Sequence, residues 1–304
     1  MSRRTGRSRK HHTKRRKGSL PPGLEKVNLH AAGIDVGGGM HAVAVPPGSS
    51  ADGEDAKEFG AFTVDLHAIA DWLAECGVLK VAMESTGVYW IPLYELLESR
   101  GFEVHLVDPR QLKRAPGRKT DLTDSQWIQQ LHTFGLLSGA FRPNEQICVL
   151  RAYVRQRAML VRYASHHVQH IHKALEQMNI KLNKVISEVT GVTGMRIIHS
   201  ILDGERDPKK LAALRHGQCK NDEKTIAKSL EGTWRQEHLF SLRQAVELHD
   251  TYQQKITECD DTIEKYFGDL DDVGARHETG KPASTARRRN EPHFNAQRAP
   301  HRMS

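Results

Sequence analysis

The chain has 304 residues, 38% of them hydrophobic, which is enough for one domain of ordinary size and a smaller one. It contains no apolar run as long as a membrane span, no recognisable signal peptide, and four cysteines too scattered for a zinc cage or a disulfide framework. These features argue against a membrane protein or a disulfide-rich secreted protein, and they predict a cytoplasmic protein with structural thiols.

The net charge of +8 is distributed unevenly. Residues 1–17 hold nine Lys and Arg and no acid, and residues 276–304 hold seven against two acids, so the tails carry +14 and residues 18–275 carry −6. Residues 1–28, a basic arm and a linker, have too few apolar side chains to fold. Such an arm gains affinity for nucleic acid by releasing counterions from phosphates, without reading sequence. An incidental solvated tail is the alternative.

Residues 29–143 alternate between extended and helical patterns. Three extended stretches come first, "LHAAGIDVGG", "MHAVAVP" and "EFGAFTVD", and their short separations predict an antiparallel meander. A helix at "LHAIADWLAEC", capped by Thr63 or Asp65, precedes a buried strand, "LKVAMES". The helix "IPLYELLESRG" stops at Gly101, the strand "FEVHLVDP" ends at a proline, and a further helix runs from about residue 121 to 137. This order predicts an α/β domain of the ribonuclease H-like plan, with a mixed sheet and helices on its faces.

The predicted order brings four acids together. The first strand is central in such a sheet and the fourth lies beside it, so Asp35 of "GIDVG" and Glu84 of "MESTG" should approach each other. A helix that begins at Thr120 would set Asp121 and Asp124 on one face, since residues three apart are helical neighbours. Carboxylates this close repel one another, and bound divalent metal resolves the repulsion. Paired Mg²⁺ (or Mn²⁺) ions serve phosphodiester displacement, so the pattern predicts that chemistry.

Each acid also has an ordinary explanation. Asp35 fits a glycine-rich turn, Glu84 fits an exposed strand end, and Asp121 and Asp124 fit a helix start, where acids complement the dipole. The metal site is therefore predicted from the joint pattern alone. Beside the acids, four cations predict a surface that holds a phosphate strand: Lys113, Arg114, Arg118 and Lys119.

Four segments over about residues 29–270 together resemble a known family: "GIDVGGGMHAVAV", "MESTGVYWIPLYELLESRGFEVHLVDP", "KTDLTDSQWIQQL" and "TGVTGMRIIHSILDGERDPKKLAALR". They resemble the DEDD transposases of bacterial insertion sequences, the family of the Piv invertase, related to the RuvC resolvase. The resemblance implies a RuvC-like catalytic domain in which Asp35, Glu84, Asp121 and Asp124 are the D, E, D and D. It also implies a coiled-coil segment and a C-terminal domain with a serine nucleophile. The implied partners are double-stranded DNA (element ends and target), a structured guide RNA and further copies of the chain.

Residues 144–270 change to a heptad pattern, which predicts a helical coiled-coil and nucleic-acid-binding region. Arg157 interrupts the first of two seams. The first seam comprises Ile147, Leu150, Val154, Val161, Ala164, Val168, Ile171, Leu175 and Met178, and the second comprises Leu242, Ala245, His249, Tyr252, Ile256, Cys259, Ile263 and Tyr266. The seams should pack as an antiparallel pair or as a dimer interface.

The first of these helices has a basic character. Residues 146–175 contain no acid, and Arg151, Arg155 and Arg162 suit an RNA backbone, although a plain solvated coiled coil is the alternative. His166 and His170 have metal-ligand spacing, but without a third ligand a solvated or phosphate-facing role is favoured.

Three functions compete. A recombinase and a non-catalytic nucleic-acid-binding remnant both fit. An actin-like ATPase or sugar kinase is disfavoured: "GIDVGGG" resembles the first phosphate loop of that superfamily, but the sequence shows neither the second glycine-rich phosphate loop nor the adenosine-binding segment that such an enzyme needs. After "EKYFGDLDD", residues 271–304 lose all periodicity and turn to Arg, Pro and His. We expect a disordered basic tail in place of the serine domain, as a frameshift would produce, with Ser284 no nucleophile. On this expectation the chain cannot complete recombination alone.

Overall fold

The computed structural model describes residues 23–114, 123–269 and 290–293. The chain divides into two compact units, Met1–Arg142 and Pro143–Ser304, and each has its own hydrophobic core. Within the described segments, no helix combines the length and the apolar character needed to cross a membrane.

The first unit is built on a mixed sheet of five strands: β1 (Ala31–Val36), β2 (Met40–Ala44), β3 (Ala56–Gly60), β4 (Lys80–Glu84) and β5 (Glu103–Val107). Their order in the sheet is β3-β2-β1-β4-β5, with β1 antiparallel to β2 and parallel to β4. The predicted meander and the central position of β1 beside β4 are confirmed. This mixed α/β architecture is consistent with a ribonuclease H-like fold.

Four helices accompany the sheet: α1 (Thr63–Glu75), α2 (Trp90–Ser99), α3 (Pro109–Arg114) and α4 (Asp124–Thr133). Alternate strand residues point to opposite faces. Ile34 and Met83 pack in one core with α1 and α2, while Ala82 and Val107 pack in another with α4. Each face of the central strands is therefore buried under helices, which fixes where the strand ends lie.

The start of α4 differs from the prediction. The helix begins at Asp124 rather than Thr120, and it ends at Thr133 rather than near residue 137. Thr123 is the N-cap, because its Oγ1 accepts a hydrogen bond from the Gln126 N–H (3.3 Å) and Gln126 Oε1 accepts one from the Thr123 N–H (3.0 Å). This reciprocal pairing satisfies two backbone donors that an α-helix start leaves open. The predicted helix start at Thr120 is therefore wrong, whereas Asp121 lies outside the described residues.

Two further helix starts differ from expectation. Phe62 is the N-cap of α1, and its N–H donates to Asp65 Oδ2 (3.1 Å), so neither Thr63 nor Asp65 is the cap. The short helix α3 was not predicted at all. Asp108 Oδ1 accepts a hydrogen bond from the Arg110 N–H (2.8 Å) there, and Pro109 opens the helix, where its missing N–H costs nothing.

The second unit contains two long helices, α5 (Glu145–Gln177) and α10 (Gln236–Asp269), and four short ones between them: α6 (Leu182–Val185), α7 (Val192–Leu202), α8 (Pro208–Ala213) and α9 (Glu223–Ser229). The short helices share a core with the C-terminal end of α5 and the N-terminal half of α10. Tyr153 contacts Tyr266, and Tyr163 contacts Tyr252, so the two long helices run antiparallel. Most of the second predicted seam is buried, but Val154 of the first seam is 47% exposed, so α10 does not cover it.

Arg157, the interruption of the first seam, is buried at 9% exposure against Asp260 of α10, which is 3% exposed. Its guanidinium donates from Nη2 to Asp260 Oδ2 (3.2 Å) and from Nη1 to the carbonyl of Asn290 (3.0 Å). The His293 N–H also donates to Asp260 Oδ2 (3.2 Å). Residues 290–293 thus contact both long helices, although they belong to the tail whose composition predicts no fold.

Candidate functional site

The candidate site lies at the carboxyl ends of β1 and β4. The two strands are parallel with Ile34 opposite Met83, so the next pair in register is Asp35 and Glu84. Both acids are half-buried, and both lie on the face opposite Ile34 and Met83. The structure thus brings two of the four predicted acids to neighbouring positions on one sheet edge.

Gly33 lets α4 approach this same face. It lies two residues before Asp35 and on the same side of β1. A Cβ at Gly33 would lie 2.2 Å from Gln129 N and 2.4 Å from Ser125 O, distances that no real side chain tolerates. Gln129 Nε2 also donates to the carbonyl of Ala31 (3.1 Å). The first turn of α4 is therefore held against the strand that carries Asp35.

Asp124 occupies the exposed first position of α4, directly before Ser125. The close contact of Ser125 with Gly33 places this third acid on the sheet face shared by Asp35 and Glu84. Glu84 Oε1 accepts a hydrogen bond from Thr86 Oγ1 (2.8 Å), which orients that carboxylate. Asp121, the fourth predicted acid, lies outside the described residues. Among the residues that are described, no three His, Cys, Asp or Glu side chains form a group that could hold a metal ion.

The predicted cations divide between described and undescribed segments. Lys113 and Arg114 close helix α3, which begins two residues after Val107, the residue paired with Glu84. Arg118 and Lys119 lie outside the described residues.

His132 is a buried titratable group of α4 that lies apart from the acids. It is eight residues from Asp124, or about 12 Å along the helix. Burial, and then the nearby charge of His105, lower the pKa of His132 to about 4, so its ring is neutral at pH 7. It therefore adds no positive charge to the surface that is predicted to hold a phosphate strand.

A basic stripe, defined here as Arg151, Arg155, Arg162 and Lys173, follows one side of α5. All four side chains are exposed. At 3.6 residues per turn they fall within an arc of about 40° along about 33 Å of helix. Arg157 points to the opposite side, where it meets Asp260. His166 and His170 are exposed on the same helix, and His170 lies 6.0 Å from the His167 ring rather than in a group of metal ligands.

Residues 32–180 match the model of a transposase family, DEDD_Tnp_IS110. This segment is similar to DEDD transposases. The transposase-like segment covers just under half of the chain, from β1 to three residues beyond α5, and it includes all four predicted acids and the basic stripe. No curated protein matches the chain.

Sequence reasoning missed two parts of this site. The glycine contact at Gly33 has no signature, because a sequence does not show how closely a helix approaches a strand. Tyr89, an exposed aromatic residue that lies against the turn after β1, was also missed. Its signal was available, since "GVYW" places an aromatic pair five and six residues after Glu84, the last residue of the strand.

Proposed function

We propose that this chain is the transposase, or DNA recombinase, of an insertion sequence. The observation that carries the proposal is that Asp35 and Glu84 directly follow the last paired residues of two parallel strands, with the start of α4 on the same face, inside the segment that matches a transposase family. The substrate in this proposal is double-stranded DNA, at the element ends and at the target.

The proposed cofactor is Mg²⁺ or Mn²⁺, held by Asp35, Glu84, Asp121 and Asp124. The donor set fits, because all four are carboxylates and hard cations prefer oxygen ligands. Such ions, when bound, supply an activated nucleophile and stabilise the leaving oxygen of a phosphodiester. The protein's own contribution is rigid placement. Asp35 and Glu84 are fixed by sheet hydrogen bonding, and Asp124 by the capped start of α4 against Gly33.

The cations of this unit serve substrate binding in the proposal. Lys113, Arg114, Arg118 and Lys119 follow β5 in sequence and precede α4, so they flank the acids on the chain. Lys and Arg on phosphates fix the position of a strand without reading its bases. No residue of this chain is proposed as the serine nucleophile that the family resemblance implies.

The second unit has a separate role in the proposal. The basic stripe on α5 binds a structured guide RNA, since exposed cations in a line can follow one phosphate backbone. The α5–α10 pair would act as a coiled coil through which copies of the chain associate.

The substitution Asp35→Asn tests the metal site. It is nearly isosteric and removes a charge, so we expect the fold to persist while Mg²⁺ or Mn²⁺ affinity and metal-dependent DNA cleavage are lost. Titration calorimetry with each ion, circular dichroism and a cleavage assay measure the three quantities. Glu75→Gln is the matched control, because Glu75 is exposed at the end of α1, which packs on the opposite face of the sheet from Asp35 and Glu84.

Unchanged ion affinity in Asp35→Asn would overturn the metal assignment. A wild-type chain that binds DNA but no divalent ion would instead favour the non-catalytic binding function.

A further inference from the structure

Tyr89 lies on a loop beside the candidate site. The loop 85–89 follows Glu84 at the end of β4, and the glycine turn 37–39 follows β1 close behind Asp35. Gly38 is three residues from Asp35, so it is at most about 11 Å from it along the chain. The ring of Tyr89 spans these two loops.

Two glycines, Gly38 and Gly87, lie beside the Tyr89 ring. A Cβ at Gly38 would lie 3.2 Å from Cε1 and Cζ of the ring, and a Cβ at Gly87 would lie 3.5 Å from Cε2 on the other side. Gly87 has a φ of +57°, a left-handed conformation that glycine adopts readily, and its carbonyl accepts a hydrogen bond from Trp90 Nε1 (3.2 Å). The ring is therefore held between two backbone segments.

The ring nevertheless remains 52% exposed. The next aromatic residues along α2 differ from it, since Tyr94 is buried and both Trp90 and Tyr94 pack against the Arg142 guanidinium. Val88, the neighbour of Tyr89, is 66% exposed and extends the apolar surface. A fixed, half-exposed aromatic ring next to an apolar side chain is a surface on which another flat ring can stack.

We propose that Tyr89 stacks against an unpaired nucleobase of the nucleic acid that is bound at the acids. This inference rests on the proposed function and adds the state of the substrate: the strand is single or locally unpaired beside the cleavage point. A base inside a duplex has both faces occupied by its neighbours, whereas an unpaired base offers a face to an aromatic side chain, whatever its identity. Gly38 and Gly87 fix the ring before the base arrives, so less side-chain entropy is lost on binding.

The test compares Tyr89→Phe, which keeps the ring, with Tyr89→Leu and Tyr89→Gln, which remove it. The probe is a short single-stranded DNA with one 2-aminopurine, whose fluorescence falls when it stacks, and the same sequence as a duplex is measured in parallel. Loss of the ring should raise the Kd for the single strand about fivefold to a hundredfold and remove the quenching, with a smaller effect on the duplex. Tyr89→Phe should behave as the wild type. Val64→Ala, which shortens an exposed apolar side chain on α1 instead, is the control and should leave the quenching intact.

The outcomes separate this inference from the proposed function. If Tyr89→Leu and Tyr89→Gln bind and quench as the wild type does, the stacking role is wrong. The metal site still stands in that case, provided that Asp35→Asn has lost ion binding. Asp35→Asn should itself retain the quenching, since it does not change Tyr89 or the glycines Gly38 and Gly87 beside its ring. A wild-type chain that binds neither DNA form overturns both proposals.

Discussion

Gly33 determines how closely a helix can approach the strand that carries an acid. Gly33→Ala would drive a Cβ into backbone atoms of Ser125 and Gln129, which cannot rotate away as a side-chain end could. We expect a loss of about 1–3 kcal/mol in the free energy of unfolding, typical of an overpacked core. Because the first turn of α4 must move to relieve the clash, Asp124 should move with it, and divalent-ion affinity should fall as well. Urea unfolding and ion titration measure the two effects.

Gly39→Ala is the control for this prediction. A Cβ at Gly39 meets no atom within 4 Å, although the residue lies six positions from Gly33 on the same hairpin. Its unfolding free energy should stay within about 0.5 kcal/mol of the wild type. Equal stability of Gly33→Ala and the wild type would show that α4 can shift without cost.

The site residues whose positions follow from strand order were predictable from the sequence, whereas the residue at the helix start was not. Asp35 and Glu84 are neighbours because β1 is central and β4 lies beside it, and apolar runs bounded by turn residues reveal that order. The helix start was mispredicted because Asp121 and Asp124 look alike as first-turn acids. The pair Thr123 and Gln126 carried the stronger capping signal. The role of Asp121 remains a prediction.

At the scale of elements, the α5–α10 pair explains why Arg157 can stand in an apolar seam. Its buried guanidinium pairs with the buried Asp260, and Asn290 and His293 satisfy further polar groups. A buried ion pair of this kind is a weak source of stability, because both charges lose their hydration. Removing one partner is costly, however, since the other charge stays buried without compensation.

Arg157→Leu should therefore lower the free energy of unfolding by about 3–5 kcal/mol, because Asp260 remains in the helix interface. Asp260→Leu should have a similar effect through Arg157. The double variant should recover most of the loss, since two leucines extend the apolar seam. Urea unfolding of the four proteins gives the coupling free energy directly. Additive losses in the double variant would mean that the two side chains do not interact in solution.

The long elements were easier to predict than the short ones. Heptad spacing over eight or nine positions located α5 and α10, and the polar contact of Arg157 accounts for the interruption in the first seam. Helices α6, α8 and α9 have four, six and seven residues, too few for a hydrophobic period to emerge. Val154 shows the limit of the pattern, because spacing alone does not indicate which seam positions a partner helix covers.

At the scale of the whole molecule, positive charge is concentrated at the two ends of the sequence and on one side of α5, while residues 18–275 carry a net −6. The arm of residues 1–17 should bind any phosphate backbone, because counterion release does not distinguish sequence. The basic stripe has a defined line on a rigid helix and should favour RNA with a matching backbone path. These two sources of affinity can be separated by comparing the salt dependence of RNA binding with that of duplex DNA binding.

Replacing Arg151, Arg155 and Arg162 with Gln should weaken binding of a folded RNA and flatten the slope of log K against log salt by about two to three units, since each lost phosphate contact removes roughly 0.7–0.9. The same variant should change duplex DNA binding less. A chain without residues 2–17 should instead show a flatter salt slope with both ligands.

The matched control replaces Lys209, Lys210 and Lys220, three exposed lysines outside α5, with Gln, which removes the same charge. If this control flattens the RNA slope as much as the stripe variant does, net charge rather than a site on α5 accounts for RNA binding.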